Sequence, residues 1–172
     1  MTGRPTADRA AGRRDAALAL LDQVMDPEVP ALSVVELGIV RDVEVDGEGV
    51  TVVVTPTYSG CPAMQMIEED IVAALAAGGF PGARVRTVFS PAWTSDWIAA
   101  GAREKLRAYG IAPPAGVERE QLVPLRRRAP AVGCPYCGSV QTEMRSEFGS
   151  TACKATLFCL ACRQPFELFK AI

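Results

Sequence analysis

The 172-residue chain contains no histidine. That absence excludes Ser–His and Cys–His nucleophile pairs and the two-histidine, one-carboxylate iron site. Aromatic residues make up only 6% of the chain, and no apolar run approaches the roughly 20 residues that cross a bilayer. The leading segment, 1–14, is polar and arginine-rich and lacks the apolar core of a secretory signal. A reducing, cytoplasmic setting without membrane contact is therefore expected. Neither charge sign dominates, with 18 Lys and Arg against 20 Asp and Glu, which leaves no broad basic face for nucleic acid. Gly78-Gly79 and Gly47-Glu48-Gly49 lack the spacing of a phosphate-binding loop. With the common catalytic equipment missing, the chain is not expected to be an enzyme on its own.

Cysteine is what the chain does have. Cys134-Pro135-Tyr136-Cys137 and Cys159-Leu160-Ala161-Cys162 are two CxxC pairs separated by residues 138–158, a spacing that suits a four-cysteine zinc site. Zinc(II) takes four tetrahedral thiolates, and two short knuckles deliver them without a large apolar core. Gly138 permits a tight turn that aims backbone N–H groups at the sulfurs. Such a site has no open position for substrate, so it implies a structural metal and a partner-facing module. The disulfide alternative finds no support in a chain without a secretory signal. Lys154, Arg163 and the Arg126-Arg127-Arg128 run are the cations available to offset the negative centre; the run also reads as a solvated linker.

Organisation follows from periodicity. Residues 1–14 read as a flexible tail, and Leu18, Leu21 and Met25 mark a helix over Asp15–Met25 that Asp26-Pro27 stops. Ile39–Val45 and Val50–Thr55 read as a hairpin around Asp46-Gly47-Glu48-Gly49. A helix from Cys61-Pro62 to about Ala77 presents Met64, Ile67, Ile71 and Leu75 on one face. Val85–Phe89 is a third strand, parallel to the second across a right-handed crossover, and Ser95–Tyr109 a last helix. The expected fold is α+β: a small mixed three-stranded sheet in the order α-β-β-α-β-α over 15–112, a linker over 113–130, and a zinc ribbon over 131–172 with strands at 140–145, 156–158 and 166–169.

Cys61 has two readings. Placed at the first turn of a helix with Pro62 in the first helical position, it is a thiolate stabilised by backbone N–H groups and nearby Thr55, Thr57, Tyr58 and Ser59 hydroxyls, able to bind metal. Alternatively it is an apolar cysteine that closes the helix end. Asp26 and Glu28 form a carboxylate pair that reaches the same mouth of the sheet, or else are a helix stop and a surface acid. Cys153 lies at the wrong spacing for a knuckle and reads as core, or else as a spare thiol beside the metal ligands. Trp93 and Trp97 read as core, or else as an anchor for a partner, and Phe158, Phe166 and Phe169 as packing around the metal.

The runs Asp26-Pro27-Glu28-Val29-Pro30, Glu36-Leu37-Gly38-Ile39-Val40 and Thr55-Pro56-Thr57-Tyr58-Ser59-Gly60-Cys61-Pro62 resemble the iron–sulfur assembly domain family that includes SufT-like proteins. Ser90-Pro91-Ala92-Trp93-Thr94-Ser95-Asp96-Trp97-Ile98, Phe148–Lys154 and Cys159–Phe166 narrow the resemblance to the PaaD (PaaJ) family, the D components of the bacterial phenylacetyl-CoA epoxidase system. The resemblance extends over 15–172. It implies an accessory component of phenylacetate catabolism that helps mature iron–sulfur clusters or iron centres, with a structural subunit of the monooxygenase as the alternative. It implies Cys61, with Asp26, Glu28 and Thr57 nearby, as the position handling iron or a transient cluster. Implied partners are the di-iron oxygenase and the iron–sulfur flavin reductase, with self-dimerisation left open. The chain lacks the Glu-x-x-His pairs of a di-iron bundle, in keeping with an accessory role.

Overall fold

The first helix, α1 (Arg4–Leu21), starts well before the predicted Asp15 and stops short of Met25 in the computed structural model, which describes residues 4–114 and 132–171. The segment read as a flexible tail is rich in alanine and arginine, both good helix formers, and its end is tied to the sheet. Arg14 Nε donates to the Val43 carbonyl at 3.2 Å and its Nη2 to Asp42 at 2.9 Å, while Arg13 donates to the Glu48 carbonyl at 3.0 Å. Residues 115–131, with most of the predicted linker and Arg126–Arg128, lie outside the described residues.

Two compact units divide the backbone, Met1–Trp93 and Thr94–Ile172. In the first, β1 (Val40–Asp46) and β2 (Gly49–Val54) form the expected antiparallel hairpin, and β3 (Arg84–Thr87) joins β2 in parallel after α2 (Met64–Ala77). Strand alternation decides which face is covered. Val50, Val52 and Val54 are buried under the helices, whereas Thr51 pairs with Arg84 on the other, charged face. From α2, Ile67, Ile71 and Leu75 are fully buried, three of the four residues assigned to its core face; Met64 is half-buried. Trp93 is buried as expected, and its Nε1 donates to the Leu37 carbonyl at 3.1 Å.

The loop between α1 and β1 is built by acidic side chains serving the backbone. Ser33 and Glu36 form a reciprocal capping box: Ser33 Oγ accepts from the Glu36 N–H and Glu36 Oε2 from the Ser33 N–H. Asp26, only 4% exposed, accepts the Glu28 and Val29 N–H groups on Oδ1 at 2.8 and 2.7 Å.

The second unit differs from the sequence reading. Instead of one helix over Ser95–Tyr109 there is a 3-10 turn, Ser95–Trp97, and a separate helix, α3 (Ala102–Ala108). Thr94 Oγ1 caps the short turn, which runs out at Ile98 in extended backbone, and Gly101 opens the second helix. Ile111–Ala112 (β4), where the sequence reading has no strand, is a two-residue strand parallel to β7 (Pro165–Phe169). Strands β5 (Thr142–Ser146) and β6 (Lys154–Cys159) complete a sheet ordered β4-β7-β6-β5, so residues 111–112, assigned by sequence to the first domain, pair with the ribbon. Among the described residues no helix is long and apolar enough to cross a membrane.

Because Asp26 satisfies two backbone donors from a buried position, Asp26→Ala should destabilise the first unit by about 2 kcal/mol. Urea unfolding followed by Trp93 fluorescence measures this; an unchanged midpoint would show the carboxylate to be dispensable for the loop.

Candidate metal centre

Each CxxC pair is a tight turn, and the two turns have the same backbone. In the first, the Gly138 N–H donates to the Cys134 carbonyl at 2.9 Å and the Cys134 N–H to the Ser139 carbonyl at 3.0 Å. In the second, the Arg163 N–H donates to the Cys159 carbonyl at 2.9 Å and the Cys159 N–H to the Gln164 carbonyl at 3.0 Å. The residue after each second cysteine is left-handed, Gly138 at φ 74° and Arg163 at φ 62°. Glycine accepts this conformation at no steric cost, but arginine does not.

The turns bring Cys134, Cys137, Cys159 and Cys162 together, with all four sulfurs within 4.8 Å of one another. Cys134 Sγ lies 3.7 Å from Cys162 Sγ, and Cys137 Sγ 3.6 Å from Cys159 Sγ. Disulfides would need about 2.05 Å. A tetrahedral zinc with sulfurs at about 2.3 Å separates its ligands by about 3.8 Å, so the four residues fit zinc(II). The Cys162 N–H, and less strongly the Ala161 N–H, donate to Cys159 and bring its pKa down to about 7 against the effect of burial. Burial, first, and sharing of protons with Cys137 and Cys159 push Cys162 up to about 12 without metal. A divalent cation would resolve this shared protonation in favour of four thiolates.

Around the centre a buried lysine is paired with a half-buried glutamate. Lys154, 4% exposed, lies 3.0 Å from Glu167 Oε2, and Glu167 Oε1 accepts the Ser150 N–H at 2.7 Å. Burial raises Glu167, but the Ser150 N–H and the Lys154 ammonium outweigh it and hold the carboxyl below its ordinary value. A Cβ at Gly149 would stand 2.6 Å from Glu167 Oε1 and 3.3 Å from the Lys154 carbonyl carbon, so a side chain there would displace the carboxylate. Cys153 is buried with its sulfur 3.0 Å from Thr151 Oγ1, apart from the four-sulfur cluster. Phe166 and Phe169 are buried as expected, while Phe158 is half-buried.

In the first unit, Cys61 is half-buried in the turn that precedes α2. The helix begins at Met64 with Ala63 as its cap, so Pro62 is not its first residue and Cys61 stands three positions ahead of it. The Cys61 N–H donates to the Tyr58 carbonyl at 3.2 Å. Thr57 is buried, and the Thr55 hydroxyl is buried with no hydrogen-bond partner. Glu28 is half-buried and Asp26 is engaged with its own loop amides. The sequence reading offers the Thr55 hydroxyl as a hydrogen-bond partner for Cys61; its burial without any partner has no signal in the sequence.

An iron–sulfur cluster assembly domain followed by a zinc ribbon is the class these two units define. The family model described as iron–sulfur cluster assembly protein matches residues 14–89, and that described as PaaD zinc beta ribbon domain matches 118–170. A protein of Escherichia coli (strain K12), provisionally named as the D component of 1,2-phenylacetyl-CoA epoxidase, is 49% identical over 154 residues, 90% of each chain. The chain belongs to this family of epoxidase D components. The Fe-S protein maturation auxiliary factor YitW of Bacillus subtilis (strain 168) is 37% identical over 46% of this chain and 78% of its own. The crystal structure of a domain of unknown function, DUF59, from Bacillus anthracis superposes with a TM-score of 0.56 at 27% identity, covering 58% of this chain and 96% of that one.

Two outcomes are expected. The purified protein should carry about one zinc per chain by elemental analysis, and Cys137→Ser should lose it together with the amide protection of β5–β7; zinc content indifferent to that change would refute the centre. Arg163→Gly should stabilise the zinc-loaded ribbon by about 1 kcal/mol by relieving the left-handed backbone, read as a higher melting temperature.

Proposed function

We propose that this protein is a non-catalytic accessory factor of a phenylacetyl-CoA epoxidase system, which assists iron–sulfur cluster or iron-centre maturation of the oxygenase and reductase components. The observation that carries this reading is the half-buried Cys61 thiol in an assembly-type domain, while the four CxxC cysteines of the ribbon converge on a centre of their own. Cys61 is the sulfur left to handle cargo, with Glu28, Thr57 and the orphan Thr55 hydroxyl supplied by the same unit. Asp26 acts by shaping the loop that carries Glu28. One thiolate cannot complete a cluster, so the cargo is iron or a cluster shared with the client or with a second chain.

The zinc ribbon supplies docking. Cys134, Cys137, Cys159 and Cys162 hold zinc for shape, and Tyr136, Val140, Met144, Phe148 and Leu160 leave large apolar side chains exposed on this one small module. The same surface also suits a permanent structural subunit of the monooxygenase, which is the second reading.

Cys61→Ser separates the two. Co-expressed with the oxygenase and reductase, the variant should leave this protein folded and zinc-loaded but lower the iron and sulfide content of those partners several-fold. Full iron loading of both partners with the variant would favour the structural reading and end the cargo role.

A further inference from the structure

The two outer edges of the three-stranded sheet are treated differently. That of β1 is covered, because Arg14 of α1 caps the Val43 carbonyl and Arg13 the Glu48 carbonyl at the hairpin. That of β3 has no such cover among the described residues. The Val88 N–H donates to the Val54 carbonyl at 2.8 Å, which fixes the phase of the parallel ladder. Arg84, Arg86 and Val88 direct their backbone groups at β2, and Val85, Thr87 and Phe89 direct theirs outward. Unpaired edges of this kind are templates for another strand.

Beside this edge lies a shallow groove of about 510 Å³ with Val72, Ala73, Ala76 and Val85 as its floor and Glu68 and Glu69 in its wall. Thr87 Oγ1 donates to Glu68 Oε1 at 2.6 Å, which locks the acidic wall to the edge strand, and Gln65 Nε2 donates to Glu69 at 2.9 Å. Val72 is partly exposed, and Phe89, at the end of the edge, is 60% exposed. On the opposite face Arg86 is paired with Glu44, while Arg84 is exposed.

The geometry points to strand addition: the β3 edge binds an extended segment of a partner protein whose side chains toward α2 are apolar and basic, and whose side chains on the other face are acidic. The outward N–H and C=O groups of Val85, Thr87 and Phe89 supply the ladder. Apolar side chains of the partner cover Val72 and Val85, its Lys or Arg meets Glu68 and Glu69, and its carboxylate meets Arg84. A second copy of this chain fits poorly. Two β3 strands meeting edge to edge would set Arg84 and Arg86 against their counterparts on one face and the acidic α2 walls against each other on the other. The surface involves neither Cys61 nor the four-cysteine centre, so it stands or falls apart from the maturation role.

The test uses the full zinc-loaded chain and three acetylated octapeptides. One alternates Val and Lys on one face with Glu on the other, the second inverts those charges, and the third scrambles the order. Amide hydrogen exchange and chemical-shift titration follow Val85, Thr87 and Phe89. The first peptide should slow exchange at these three amides and bind at least tenfold more tightly than the other two. Glu69→Lys, a change at an exposed position, should abolish or reverse that charge preference without altering the melting temperature. Equal binding of all three peptides, or indifference to Glu69→Lys, overturns the proposal. So does slow exchange of the three amides without peptide, whether it rises with protein concentration (a second copy on the edge) or does not (cover by the chain itself).

Discussion

Four sulfurs held at one point are what the ribbon depends on. Its core cluster consists of Ala112, Cys134, Ala155, Leu157, Cys159 and Phe166, and two of those six are themselves candidate ligands. Of the six only Leu157 and Phe166 bring large side chains, and Phe169 of β7 adds one more buried ring. A module so poor in apolar volume needs a cross-link. A tetrathiolate metal gives one that joins both turns, and through β6 and β7 it fixes the strand to which β4 attaches.

The same constraint explains features that look costly in isolation. Arg163 holds a left-handed backbone because the second turn must repeat the first, where Gly138 does so freely. Lys154 is buried because Glu167 and the Ser150 amide lie in one corner, and the depressed Glu167 titrates accordingly. Its contribution to stability is present above the ordinary carboxylate pKa and fades as pH falls through its lowered value. Thiolates also protonate as pH falls, so the metal and the ion pair weaken in the same direction.

Much of this was legible in the residues themselves. CxxC spacing announced the centre, alternation announced the β1–β2 hairpin, and the Ile67, Ile71 and Leu75 stripe announced the buried face of α2. What the sequence hid were long-range pairings. Nothing local marks Ile111–Ala112 as a strand, since its partner Glu167–Leu168 lies more than fifty residues on. The break between Trp97 and Ala102 rests on Thr94 capping a separate short turn. The length of α1 depends on Arg13 and Arg14 finding carbonyls in the hairpin. Among the residues that the sequence reading groups with Cys61, the types were visible but the roles were not: Asp26, one of a carboxylate pair by sequence, is spent on its own loop's amides, while Thr55 carries the unpartnered hydroxyl.

Under the cargo role proposed for Cys61, a permanent metal site in the same chain raises a problem of competition. A vacant tetrathiolate would capture iron intended for a client, because four converging sulfurs chelate far better than one. Zinc removes the conflict. For a given set of ligands it binds more tightly than ferrous iron and has no redox chemistry through which to release it. Saturated with zinc, the ribbon would be inert toward iron, and under the proposed role Cys61, as a single thiolate, is too weak a ligand alone to retain what it receives. Weak retention suits delivery, since a carrier that bound its cargo through four sulfurs would have no free-energy gradient toward the client.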